Sequence, residues 1–200
     1  MNRLTILLYA LLASMVATAQ PEPGSRLPAV KLADDLGGLP DGTHWRSSQL
    51  VGSPTVLVYV HPDKRKLNHP LQQAIQGIDL DPTMYGRTLV LNTSATWKPD
   101  RFIQAGIWIQ RLSNTFKEAQ TEGIVQALLV NTPTKSTEWT LILDKNNVLT
   151  QAWKLPPGDY HAFLLDKKGI IKDYHKGPIN PEKAKIWAGA LAKLATQVKG

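Results

Sequence analysis

Two β-rich apolar runs, TVLVYV at residues 55–60 and RTLVLNT at residues 87–93, set the strongest limit on what this chain can fold into. Both read as buried strands by composition. The segment between them is helix-patterned, with Leu67, Leu71, Ala74, Ile75 and Ile78 at helical spacing from Asp63 onward. Two buried strands joined through a helix pair in parallel, because a parallel pair needs a crossover long enough to return the chain. Pro70 inside the pattern removes a backbone donor, so a kink or an irregular first turn is expected.

The rest of the chain extends this arrangement. KPDRFIQAGIWIQRLSNTFKEAQ sets Phe102, Ile103, Ala105, Ile107, Trp108, Leu112 and Phe116 along one helical face, with Pro99 and Asp100 as start signals. In the last third, WTLILDKNNVLTQAW and HAFLLDKKGIIKDYH echo one another, each reading as apolar strand, Asp-Lys turn, apolar strand. Asn180-Pro181-Glu182 is a cap-and-start signal for a final helix. That helix is expected to bury Ile186, Ala190, Leu191, Leu194 and Val198, leaving Lys183, Lys185 and Lys193 toward water. Before the first strand lies a proline-punctuated lead-in. Its PAVKL segment alternates like an edge strand, and its Gly37-Gly38 and Asp41-Gly42 pairs mark turns. The fold class is α/β, a layered sandwich.

The N-terminal segment MNRLTILLYALLASMVATAQ has a basic start at Arg3, an apolar run and an Ala17-Thr18-Ala19 cleavage pattern, which reads as a secretory signal peptide. Residues 1–19 are therefore expected to be removed, and residues 20–200 to form one domain outside the cytoplasm, with no lipid anchor and no membrane span. The chain has no cysteine. Exported proteins can use disulfides; here stability must come from packing, and thiol exchange is excluded. The formal charge is +7, and its excess is local: Lys145–Gly200 holds ten lysines and no arginine against four acids. Lysines without arginine suit diffuse attraction or a solvated face better than bidentate reading of phosphates, and no nucleic-acid partner is expected.

The segments GSRLPAVKL, SSQLVGSPTVLVYVHP, RTLVLNT, LILDKNNVLTQAW and FLLDKKG, taken with Pro70, resemble thioredoxin-like proteins of the peroxiredoxin and cytochrome-maturation kind. Within that superfamily the chain is similar to the YtfJ family of exported proteins from Gram-negative bacteria. The resemblance implies a three-layer thioredoxin-like sandwich, with a mixed central sheet, helices on both faces, and a C-terminal β-hairpin plus helix. It also matches the two redox cysteines to Pro62 and Arg65, and the cis-proline facing them to Tyr160. All three positions depart from the pattern. A residue other than proline disfavours a cis bond by several kcal/mol, so a trans peptide before Tyr160 is expected.

In such a fold the strand–helix junction and the loop before the hairpin face one cleft. His61, Pro62, Asp63, Arg65, Tyr160 and His161 are therefore the expected contact residues. His61 and His161, with Asp63 or Asp159 as a third ligand, could hold copper or zinc, although no tight His-x-His spacing supports it. The basic run Lys64-Arg65-Lys66 opens a helix and could hold an anion, but Asp63 can cap the same backbone amides. Trp108 and Trp187 read as core; Trp45 and Trp97 fall in loops, where a lid is conceivable. Asn92-Thr93-Ser94 matches a glycosylation sequon at a strand end, and no phosphate-binding glycine loop, GxSxG turn or HExxH helix occurs.

The expected function is a non-redox binding or accessory module of the periplasm, engaging a protein or peptide through the degenerate cleft and using no cofactor. A metal-using protein is the alternative. A third is a structural protein held at anionic lipid or glycan surfaces by Lys167, Lys168 and Lys172.

Overall fold

Thr55–Val60 forms a strand in which every residue is buried and successive side chains divide between two cores. Val56, Val58 and Val60 pack into one, Leu57 and Tyr59 into the other. This is the strand period of two acting on a sheet covered on both sides. The structure, a computed structural model, describes residues 20–94, 139–158 and 160–197. The expected signal segment, the helix through Trp108, Trp97, Asp159 and Val198 lie outside the described residues.

Among the described residues the strands are β1 (Lys31–Leu32), β2 (Gly37–Gly38), β3 (Trp45–Arg46), β4 (Thr55–Val60), β5 (Gly86–Asn92), β6 (Thr140–Asp144), β7 (Tyr160–Leu165) and β8 (Ile171–Lys176). The α-helices are α1 (His69–Gln76), α2 (Val148–Ala152) and α3 (Pro181–Thr196), and short 3₁₀ turns lie between the strands. β1 and β3 make a two-stranded ribbon, and the main sheet runs β2-β6-β5-β4-β7-β8. β4, β5 and β6 are parallel, whereas β2, β7 and β8 run antiparallel to their neighbours. The mixed sheet and the β7–β8 hairpin are as expected, and Asp166 closes the hairpin turn by accepting from the amides of Lys168 and Ile170.

One face of the sheet carries α1 and α3, which bring Leu71, Ile75, Ala184, Trp187 and Leu191 onto Val56, Val58, Tyr160 and Leu164. The opposite face is closed by the lead-in and α2. Trp45 and Trp153 meet there edge to face at 6.4 Å, and Trp153 meets Phe163 at 6.2 Å. Trp45 is 1% exposed, so it is core and not a lid. Each fully buried aliphatic side chain in these layers contributes roughly 1.5–3 kcal/mol, which is how a cysteine-free chain holds together.

Three expectations need correction. VLTQAW is not a strand. It contains α2, because the Asp144 carboxylate accepts from the amides of Val148 at 2.8 Å and Leu149 at 3.0 Å, capping a helix start. Its apolar residues Val148, Leu149, Ala152 and Trp153 satisfy helical spacing as well as a strand run. Gly37-Gly38 is not a turn but the edge strand β2, paired with Leu143 and Asp144. Gly37 has φ 118°, and a Cβ there would collide with the Leu143 carbonyl oxygen, so only glycine lets these two backbones approach. The buried face of α3 is Ala184, Trp187, Ala188, Leu191 and Ala195, while Ile186 is 69% exposed. Trp187 brings the larger apolar area, and its indole N–H donates to Asp173 Oδ2 at 2.8 Å, which turns the helix one residue away from the expected phase. The cap itself is as read: Asn180 Oδ1 accepts from the Lys183 amide at 2.8 Å.

Candidate functional site

The β4 chain leaves the sheet at His61, whose extended backbone turns directly into a 3₁₀ helix over Pro62–Asn68. Proline suits the first position of such a turn because its missing N–H would have no partner there. His61 caps the turn: its Nδ1 accepts from the Asp63 amide at 3.3 Å, and its carbonyl accepts from the Lys64 amide at 2.9 Å. The turn then passes into α1, with Pro70 in its first turn. The irregular start read from Pro70 is thus present, as a change of helix type and not as a kink.

Behind this rim the site is closed. Pro62 is buried, and Arg65 is only 8% exposed, its Nη1 donating to the Pro62 carbonyl at 2.8 Å. Burial pulls the Arg65 guanidinium down from its usual value, and Asp63 acts in the opposite sense. Asn68 is fully buried, and its Oδ1 accepts from the Tyr160 hydroxyl at 3.0 Å while its Nδ2 has no partner among the described residues. Tyr160 lies opposite Val60 across the β4–β7 pairing, and burial pushes its phenol up.

Tyr160 and His161 are each 1% exposed, which corrects their placement at a cleft surface. Strand alternation also sends them to opposite faces of the sheet. Tyr160 packs with Val60 on the helical face, and His161 lies near the Tyr59 ring at 6.2 Å on the other. His161 Nε2 lies 3.3 Å from the Gly158 carbonyl, which can only accept, and its Nδ1 lies 2.9 Å from the Tyr174 hydroxyl. The neutral imidazole with its proton on Nε2 satisfies both contacts. The bond before Tyr160 involves Asp159 and lies outside the described residues.

The structure therefore gathers His61, Pro62, Asp63 and Arg65 at one junction, ties Tyr160 to it from beneath through Asn68, and sets His161 apart. What remains accessible is the rim: the His61 and Asp63 side chains are 21% and 45% exposed, and Lys64 and Lys66 are exposed beside them. Among the described residues no group of three His, Asp or Glu side chains is placed to hold a metal. Lys167, Lys168 and Lys172 are all exposed, at and just after the hairpin turn.

Backbone for strand addition is scarce here. The Tyr160 carbonyl already accepts from the Gly177 amide at 2.9 Å. On the edge strand β8, the lead-in pairs with Ile171 through Gly24 and Ser25, the register shifts between Leu164 and Leu165, and the Tyr174 amide is taken by Asp173 Oδ1 at 2.8 Å. These are devices that blunt an edge.

Asn68 had no sequence signal beyond lying in the 3₁₀-to-α transition. The set of buried Tyr59 and Asp144 with half-buried Thr150 likewise has no signal as a unit. Its one clue is Tyr59, a polar-tipped residue inside an otherwise aliphatic strand.

No protein-family model matches the chain. It is 26% identical over 201 residues to YtfJ, an uncharacterized protein of Escherichia coli (strain K12), covering 96% of this chain and 97% of that protein. Among solved structures it is similar to a candidate protein disulfide isomerase from Bacteroides thetaiotaomicron, with TM-score 0.54, 14% identity, and coverage of 88% of this chain and 91% of that one. A candidate thioredoxin from Neisseria meningitidis superposes with TM-score 0.52, 14% identity, and coverage of 84% and 91%. A candidate thiol:disulfide interchange protein, DsbE of Chlorobium tepidum, gives TM-score 0.50, 14% identity, and coverage of 86% and 99%. The fold is thioredoxin-like, similar to that of disulfide-interchange proteins, in a chain without cysteine.

Proposed function

We propose that this chain is a non-redox binding or accessory module of the bacterial periplasm, engaging a protein or peptide through the rim of its degenerate junction. The observation that carries the reading is the junction itself. It has the strand-to-helix layout of a disulfide-interchange fold, but the positions matched to the two cysteines hold Pro62 and Arg65, joined by a hydrogen bond. Disulfide exchange needs a thiolate nucleophile, and none exists in the chain. A closed floor beneath a rim carrying an imidazole, a carboxylate and two lysines suits contact with a partner's surface. A periplasmic location is supported by the signal-like first 19 residues, and among the described residues no helix is long and apolar enough to cross a membrane.

The test is capture of a partner from the native envelope by crosslinking, using wild type and His61→Ala/Asp63→Ala. Both side chains are partly exposed, so the double variant should lose only the His61 cap, about 1 kcal/mol of stability, stay folded and lose the captured species. Equal capture by both folded proteins overturns the rim as the contact site. Disulfide reduction by the pure protein overturns the non-redox reading.

A further inference from the structure

A second concavity lies away from the junction, between the lead-in, the turn after β3 and the β7–β8 hairpin. It encloses about 340 Å³, within the size range of small-molecule sites. Its walls are apolar, built from Leu27, Ala29, Leu50, Val51 and Leu165. Ser47, Ser48, Gly169 and two cations, Arg26 and Lys168, complete the lining, and no acidic residue belongs to it. Both cations line the one pocket, and the backbone of Arg26 bridges Ile170, two residues beyond Lys168.

The walls are tied to one another and need no ligand to form. Ile171 donates to the Ser25 carbonyl at 2.9 Å, Gly24 donates to the Ile171 carbonyl at 2.8 Å, and Gly52 donates to the Lys167 carbonyl at 2.9 Å. The acid nearest in sequence, Asp166, directs its Oδ1 to the amides of Lys168 and Ile170, and no described carboxylate forms an ion pair with Arg26 or Lys168. A preformed apolar cavity lined by two cations without a carboxylate partner is complementary to a ligand with an aliphatic body and one anionic end. Arginine in particular suits the planar, two-oxygen geometry of a carboxylate.

We propose that this pocket binds an aliphatic carboxylate, its hydrocarbon chain against Leu27, Leu50 and Leu165 and its carboxylate held by Arg26 and Lys168. The site is independent of the junction rim. By contrast, the wider groove between α1 and α3 is lined by Asp79 as well as by Lys185 and Lys193, so its cations share the lining with a carboxylate.

The full chain is titrated near neutral pH with octanoate, 1-octanol and octylamine, following the methyl resonances of Leu27, Leu50 and Leu165 by NMR. Octanoate should shift these resonances saturably, with the alcohol and the amine binding at least about tenfold more weakly, a gap of about 1.4 kcal/mol. The surface variant Arg26→Gln/Lys168→Gln should lose about the same factor while folding normally. Ala29→Trp, an exposed wall position filled by a large ring, should abolish binding without lowering the melting temperature. Any of three results overturns the proposal: no saturable shift with octanoate, equal affinity for octanoate and octanol, or undiminished octanoate binding in Arg26→Gln/Lys168→Gln.

Discussion

Asp144 is fully buried, and its carboxylate is answered by three donors: the amides of Val148 and Leu149 and the hydroxyl of Tyr59 at 3.0 Å. A carboxylate only accepts, so the Tyr59 proton is committed to it, and Thr150, 2.6 Å away, donates to the Tyr59 oxygen. An amide at this position would turn a donor toward donors. Asp144→Asn should therefore cost about 2–3 kcal/mol of unfolding free energy, read from a shift in denaturant midpoint at constant slope. Tyr160 is a second case in which burial decides the outcome. At a surface its truncation would cost within about 0.5 kcal/mol, but inside the α1–α3 core Tyr160→Ala should cost about 3–5 kcal/mol. Tyr160→Phe separates packing from polarity. It leaves Asn68 with neither of its amide groups satisfied by a side chain, and should cost about 1–3 kcal/mol in the same denaturation experiment.

At the scale of elements, α3 shows how a single residue sets the phase of a helix. Ile186 and Trp187 are both large and apolar, and adjacent residues point about 100° apart. The helix buries Trp187, which also reaches Asp173, while Lys183 contributes its ammonium to the same carboxylate at 3.6 Å and to the indole face at 5.7 Å. Ile186→Gln should accordingly change stability by less than about 0.5 kcal/mol, and Trp187→Ala should lower it by about 3–5 kcal/mol. Thermal denaturation of the two variants side by side checks the phase; the reverse order would mean that Ile186 faces the core.

For the whole molecule, three phenols couple stability to alkaline pH. Burial pushes Tyr59, Tyr160 and Tyr174 above the ordinary value of 10.0, with the Asp144 carboxylate adding to the effect at Tyr59. A raised folded-state value favours the protonated form in the native protein. The associated stability is fully present below the unfolded value and is lost as pH rises beyond it. Denaturant midpoints should therefore hold up to about pH 9 and fall steeply above about pH 10, and phenolate absorbance should develop with unfolding instead of preceding it. A native state whose buried phenols titrate at their ordinary value without loss of structure would contradict the burial of these rings. With no disulfide present, reductant should leave these curves unchanged.

The sequence alone determined the strands β4, β5 and β7, the β7–β8 hairpin, the cap of α3, the irregular entry to α1 and the exclusion of thiol chemistry. These follow from local quantities: the β-rich character of TVLVYV, the turn chemistry around Asp166, the Asn180-Pro181 pair, the position of Pro70 and the count of cysteines. Only the tertiary structure decided which side of each element faces inward and what the ambiguous runs become. VLTQAW could serve as strand or helix until the buried Asp144 carboxylate supplied a cap. Gly37-Gly38 could be a turn until the backbone of Leu143 came close enough to need an edge strand without side chains. Tyr160 and His161 are neighbours in sequence, and counting positions placed both in one cleft. The strand period instead sends one to each face, so of the six expected contact residues only His61 and Asp63 keep accessible side chains. The pocket of Arg26 and Lys168 is likewise a product of the fold. Its walls come from three segments far apart in the chain, and no spacing within any one of them announces it.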